Sequence, residues 1–240
     1  MTIGPEIKNP AEWQFNAELV RSILDKMGRD DRYTKVTLAS LSFEELYLRL
    51  NSQETDVIKQ LLSLSPKELG FLGPFVSMEG PPDDLVHLES QAFTREGHEA
   101  TIAHQYLPRA VHEAFLKMQS AVKQAINSRL MVESGYRSPA HQAITFLTYL
   151  EKFAFDIKYV ASGVALPGYS QHGDPINTAI DVINQGGIPT DEEPELFAHT
   201  PEYQWLLDRA ADFDFHLSYP KRNEFGVKFE PWHWQYRSRI

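Results

Sequence analysis

The chain has 240 residues, 42% of them hydrophobic and 23% charged, an ordinary balance for a globular protein with room for one well-buried domain. A formal charge of −10, with no cluster of lysine or arginine, argues against nucleic acid and against an anionic membrane surface as partners. There is no cysteine, which excludes disulfides, thiol nucleophiles and Cys-ligated zinc.

No apolar run approaches the ~18 residues that suggest a membrane span. The opening MTIGPEIKNPAEWQF lacks a basic start followed by an apolar stretch, so no signal peptide is visible and the chain is expected to be cytoplasmic as synthesised. The first third is polar with helical patterning. Ser42 and Glu45 have capping-box spacing at the head of SFEELYLRL, VIKQLLSL follows, and Ser65-Pro66 predicts a further helix start stopped by Gly70. The Pro-, Gly- and Asp-rich stretch 73–84 is the best boundary, dividing a helical extension (1–85) from a second domain (86–240).

Beyond that boundary, Pro108 opens a long amphipathic helix with Val111, Phe115, Met118 and Val122 on one face. LMVES (130–134) reads as a strand, and Ser138-Pro139 caps a helix whose apolar face carries Ala143, Phe146, Leu147 and Leu150. A strand over 177–183 comes next, then a helix from Thr200-Pro201, then strands in FDFHLSYP, GVKFE and WHWQYR. Helices first and sheet last predict an α+β fold, a small central antiparallel sheet flanked by helices.

The strand at 177–183 raises a chemical question, because Asp181 stands in a segment ready for burial and a buried carboxylate needs a partner or a metal. Alternation puts Asn177, Ala179 and Asp181 on one face. In WHWQYR it sends Trp232, Trp234 and Tyr236 to one face and His233 to the other. Taken singly, Asp181 reads as paired with an arginine, His233 as a hydrogen-bonded core histidine and His172 as a loop residue. Together, two histidines and a carboxylate form a three-ligand set suited to Zn²⁺ with one position open to water, whose pKa such a site lowers to about 7. Glu230, brought beside His233 by the break at Pro231, is placed as general base. Arg137, on the turn after LMVES, is placed to stabilise an oxyanion. The other histidines (His87, His98, His104, His112, His141, His199 and His216) read as surface or packing residues.

These residues resemble a known family. SGYRS at 134–138, Ser170-x-His172 with Ala179-x-Asp181, and Glu230-x-x-His233 within EPWHWQYR look like the zinc D,D-/L,D-carboxypeptidases of the VanY type, over roughly residues 105–240. The wider group includes D-Ala-D-Ala dipeptidases and phage endolysin peptidases. The resemblance implies His172, Asp181 and His233 as zinc ligands, Glu230 as catalytic base and Arg137 as the stabiliser of developing negative charge. It places Ser170 and Gln142 near the substrate, a peptidoglycan stem peptide or its precursor ending in or containing a D-amino acid. Action at the cell envelope then requires release of the protein or a trimmed leader.

Two departures from the family pattern stand out. The His172–Asp181 gap is nine residues rather than seven, with Asn177 where a glycine is usual; a longer turn using Asn in a left-handed conformation is expected there, and Asp174 is near enough to intrude on the metal. Ser218 stands where relatives usually carry an arginine.

Rival readings are a non-haem Fe(II) oxygenase, which shares the two-His-one-carboxylate set, and a zinc-bearing peptide-binding module without turnover. The oxygenase has no use for Glu230, and intact Glu230 and Arg137 speak against the binding module. Among hydrolases, carboxypeptidase is favoured over cell-wall endopeptidase, the difference resting on whether GGIPTDEEP (186–194) and the N-terminal extension close the cleft.

Overall fold

A computed structural model describes residues 14–28, 38–188 and 193–238. Among the described residues three helices precede residue 63: α1 (Ala17–Met27), α2 (Phe43–Arg49) and α3 (Ser52–Leu62). Each starts on a side-chain cap, from Asn16, Ser42 and Asn51, and the last two are complete capping boxes closed by Glu45 and Glu54. The helix expected at Ser65-Pro66 amounts to a single turn. The Phe71 N–H donates to the Pro66 carbonyl at 2.9 Å, and Gly70, at φ 93°, ends it. Too few residues lie between Pro66 and Gly70 to repay helix nucleation.

Two hairpins follow that periodicity did not reveal. The strand β1 (Leu85–Leu88) pairs with β4 (Gln105–Pro108) and encloses β2 (Gln91–Arg95), which pairs with β3 (His98–Ile102). The inner pair turns through Glu96 and Gly97, both at positive φ (51° and 81°), as a two-residue hairpin requires. Its strands are rich in polar residues and bury only Gln91, Phe93 and Ile102, so there is little apolar alternation to read.

The remaining elements of the described residues are α4 (Arg109–Ile126), β5 (Leu130–Ser134), α5 (Pro139–Lys152), α6 (Ile157–Ala161), a 3₁₀ turn at Gln171–Gly173, β6 (Ala179–Asn184), α7 (Pro194–Ala198), α8 (Pro201–Arg209), a second 3₁₀ turn at Ala210–Phe213, β7 (Phe215–Leu217) and β8 (His233–Tyr236). Four strands form one antiparallel sheet in the order β5-β6-β8-β7. The fold is α+β, as the element order implied. GVKFE is not a strand: the Lys228 N–H donates to the Ser162 carbonyl at 3.0 Å and the Glu230 N–H to the Tyr219 carbonyl at 3.1 Å, so the segment is held by loops rather than by a ladder.

The sheet has two different faces. Ile180, Val182, Trp234, Tyr236 and Phe215 pack with Val111, Phe115 and Met118 of α4 and with Leu206 of α8 in one apolar core. Asp181 and His233 alternate to the other face, where Met131 and Ile183 pack against Phe93 and Ile102 of the inner hairpin. A second core joins Val20, Ile23, Leu46, Ile58 and Leu61 of the first helices to Ala143, Ile144 and Leu147 of α5 and Val160 of α6. The N-terminal helices therefore brace the helix that follows SGYRS.

Gly135 sits where only glycine fits. A Cβ there would stand 2.4 Å from the Tyr106 carbonyl oxygen, which accepts the Tyr136 N–H at 2.7 Å. Both groups are backbone, so neither can swing aside. Gly135→Ala is expected to destabilise the protein by about 1–3 kcal/mol, the usual cost of overpacking. A lowered urea midpoint at unchanged m-value would be the sign; an unmoved midpoint would mean the β4–β5 approach relaxes freely.

Candidate active site

Asp181 lies on the central strand β6, opposite Ser134 of β5 on one side and His233 of β8 on the other. His172 arrives from the 3₁₀ turn before β6. His172, Asp181 and His233 are all at least 94% buried, and one ligand atom from each lies within 4.8 Å of the others. His172 Nε2 is 3.3 Å from Asp181 Oδ2, and His233 Nδ1 is 3.0 Å from Asp181 Oδ1.

The far nitrogen of each histidine faces an oxygen acceptor. His172 Nδ1–H donates to the Gly135 carbonyl at 3.0 Å, and His233 Nε2–H donates to Gln171 Oε1 at 3.1 Å. Those bonds choose the tautomers, leaving the Nε2 lone pair of His172 and the Nδ1 lone pair of His233 aimed at Asp181. Burial pushes His172 down to about 4, so it is neutral at pH 7. Burial raises the Asp181 carboxyl, but the charge and hydrogen bonds that His172 and His233 offer when their protons face it outweigh that and hold it well below the usual carboxylate range. Two imidazole lone pairs thus converge on an ionised carboxylate, an arrangement of acceptors that a divalent cation satisfies. The 3.3 Å contact is also close to the edge of a tetrahedron built on metal–ligand bonds of about 2.0–2.1 Å. The donor set fits a metal ion with two imidazoles and one carboxylate.

The long His172–Asp181 connection is made differently from expectation. Asp174 Oδ1 accepts the N–H groups of Ile176 (2.9 Å) and Asn177 (2.7 Å), so Asp174 closes its own turn and stays off the metal group. Asn177 is not left-handed; its Oδ1 accepts the Ser238 N–H at 3.1 Å. The two additional residues are absorbed by a side-chain-stabilised turn rather than by backbone at positive φ.

Glu230 and His233 face the same way because Glu230-Pro231-Trp232-His233 is a β-turn. The His233 N–H donates to the Glu230 carbonyl at 3.2 Å, with proline in its favoured second position. Glu230 Oε2 ends 3.7 Å from His233 Nδ1, with its side chain 13% exposed. Tyr219 packs its ring 4.7 Å from that of His233. Burial first, then the nearby carboxylates of Glu230 and Asp181, push its phenol far up, so it stays protonated.

Arg137 is 8% exposed, and its guanidinium donates to Ser134 Oγ (2.6 Å) and Gln142 Oε1 (2.9 Å). Among the described residues no carboxylate pairs with it. Gln142 Nε2–H in turn donates to the Ala165 carbonyl at 2.6 Å, so Gln142 orients Arg137. Arg137, Gln142, Ser170, His172, Asp181, Glu230 and His233 all line one cavity of 390 Å³. Every site residue expected from the sequence is therefore brought to one place. Of the loop 186–194, expected to bear on whether the cleft is closed, residues 189–192 lie outside the described residues.

The family model of VanY, D-alanyl-D-alanine carboxypeptidase, matches residues 104–239. The chain belongs to the VanY family. A D-alanyl-D-alanine carboxypeptidase of Enterococcus faecium is 27% identical over 165 residues, covering 67% of this chain and 47% of the relative. YodJ of Bacillus subtilis strain 168 is 30% identical over 180 residues, covering 74% and 60%. The chain thus spans about half to three fifths of the length of these two VanY-family relatives. Among solved structures, the LD-carboxypeptidase LdcB aligns with a TM-score of 0.53 at 26% identity, over 71% of this chain and 77% of that one.

The sequence reading passed over Gln171, taken as a spacer between Ser170 and His172. Its Oε1 accepts from both His233 Nε2–H and the Ser218 hydroxyl, the latter at 2.6 Å. Ser218, noted for replacing an arginine, therefore secures the group that fixes the His233 tautomer. Only the fold brings these residues within reach, since they are 47 and 62 positions from Gln171. Gln171→Leu is expected to weaken metal binding about 10–100-fold, typical for loss of a hydrogen bond to a ligand. Competition with a chromogenic chelator reads this directly, and unaltered affinity would remove Gln171 from the metal's support.

Proposed function

We propose that this chain is a zinc-dependent carboxypeptidase that removes the C-terminal D-amino acid from peptidoglycan stem peptides or their precursors. The observation that carries the reading is the buried His172–Asp181–His233 group, its histidine lone pairs turned inward by the Gly135 carbonyl and Gln171 and its flank occupied by Glu230. Membership of the VanY family supports the substrate class.

In this reading His172 Nε2, Asp181 and His233 Nδ1 hold the ion. Zinc, when bound, supplies a Lewis acid that polarises the scissile carbonyl and brings a water close to ionisation at neutral pH. Glu230 takes the proton from the attacking water as the new C–O bond forms and then passes it to the amine as the C–N bond breaks, so the proton count balances. Arg137, a buried cation hydrogen-bonded among the described residues to the neutral acceptors Ser134 and Gln142, stabilises negative charge that develops on the substrate. Gln142 holds the guanidinium in place, and Ser170 contributes a polar wall beside His172.

The test is metal content together with product. Stoichiometric zinc and release of D-alanine from a muramyl pentapeptide establish the D,D-carboxypeptidase, and release from the tetrapeptide establishes the L,D branch. Internal cleavage moves the protein to the endopeptidases. Zinc bound without cleavage of either peptide would sink the reading in favour of a binding role.

A further inference from the structure

The cavity extends well beyond the metal group, and its other end has a chemistry of its own. Lys152, at the end of α5, and Lys228, in the segment leading to Glu230, both line it. Lys228 Nζ lies 3.7 Å from the centre of the Tyr159 ring, and Lys152 Nζ lies 5.7 Å from that of Tyr149 and 5.4 Å from that of Phe153. Phe153 and Tyr159 are in contact at 4.8 Å between ring centres, so the two ammonium groups belong to one aromatic platform. Among the described residues neither lysine has a carboxylate partner. The acidic side chains lining the cavity, among the described residues, are Asp181, of the metal group, and Glu230, on its flank.

Two exposed cations, unpaired among the described residues and resting on one aromatic platform in a protein of net charge −10, form a local positive field at the cavity. Lys228 is two residues from Glu230, a backbone reach of about 7 Å. An anion held there stands one or two residues from the bond under attack. Arg137 is buried beside His172, and Gln142, which holds it, lies ten residues before Lys152 on α5, about 15 Å along the helix, so the lysine end lies away from the metal group and receives the remainder of the peptide.

We propose that this lysine–aromatic end is an anion subsite that selects peptides bearing a free carboxylate on the acyl side of the scissile bond, one or two residues from it. The inference rests on reading the cavity as a carboxypeptidase site. The experiment compares two synthetic peptides ending in D-Ala-D-Ala, identical except for a glutamate or a glutamine two residues before the scissile bond. Cleavage and calorimetric binding are measured on the zinc-loaded chain for wild type, K152M/K228M and K152R/K228R.

The wild type is expected to prefer the glutamyl peptide about tenfold, through KM and with a preference that fades as salt is added, the scale of two partly screened ion pairs. The Met pair collapses the preference, and the Arg pair keeps it. Equal KM values for the two peptides in wild type, or a preference surviving in K152M/K228M, would overturn the subsite while leaving the hydrolytic reading intact. If neither peptide is cut but the glutamyl peptide still binds in a lysine-dependent way, the subsite stands and the hydrolytic reading falls. Absence of both cleavage and selective binding overturns both.

Discussion

Glu230→Gln is expected to lower kcat by about 10²–10⁴ while leaving zinc stoichiometry and thermal stability near those of the wild type. Glutamine keeps the shape of the side chain and removes its capacity to accept a proton. The β-turn that aims residue 230 depends on the main chain, through the His233 N–H to Glu230 carbonyl bond and the Glu230 N–H to Tyr219 carbonyl bond, so it survives the substitution. Glu230 Oε2 stands 3.7 Å from His233 Nδ1, against 3.0 Å for Asp181 Oδ1, which places Glu230 beside the metal group rather than in its ligand set. Metal analysis of the purified variant and D-alanine release under saturating substrate separate the two roles. A variant that loses zinc along with activity would make Glu230 a ligand, and a fully active one would end its candidacy as base.

Arg137→Met should reduce kcat/KM by about 10²–10³, the scale for removal of one preorganised donor to a developing oxyanion. Arg137→Lys should recover only part of that loss. An ammonium keeps the charge but lacks the planar fork that bonds Ser134 Oγ and Gln142 Oε1 while leaving further N–H groups for substrate. Stability must be measured beside activity, since Met strands two buried acceptors, at about 1–3 kcal/mol each if water does not reach them. Wild-type kcat/KM in a folded Arg137→Met protein would show that the guanidinium is there for Ser134 and Gln142 alone.

Much of the site was legible because its residues lie at signals that act locally. Alternation in 177–183 and in WHWQYR assigned Asp181 and His233 to one side of their strands, and the sheet keeps both on the face away from the α4–α8 core. Caps at Ser42, Ser138 and Thr200 marked helix starts within one residue, because a hydroxyl accepting an N–H of the first turn needs nothing from the rest of the chain. The outer and inner hairpins of 85–108 escaped notice. Their strands are four or five residues long, bury few apolar side chains, and are held by pairing with each other and by contact with α4 and β5.

By itself the sequence determined the chemical inventory: two histidines and an aspartate of a kind that could hold a metal, a glutamate just before a proline, an arginine after a strand, and no thiol. Tertiary structure alone decided which nitrogen of each histidine points inward, through the Gly135 carbonyl and Gln171, and which aspartate closes the long turn instead of joining the metal group. It also decided that Lys152 and Lys228 share one aromatic platform although they are far apart in the chain. Periodicity and caps act over a few bonds and are written in neighbouring residues. Hydrogen bonds between residues tens of positions apart exist only once the two apolar cores have closed around them.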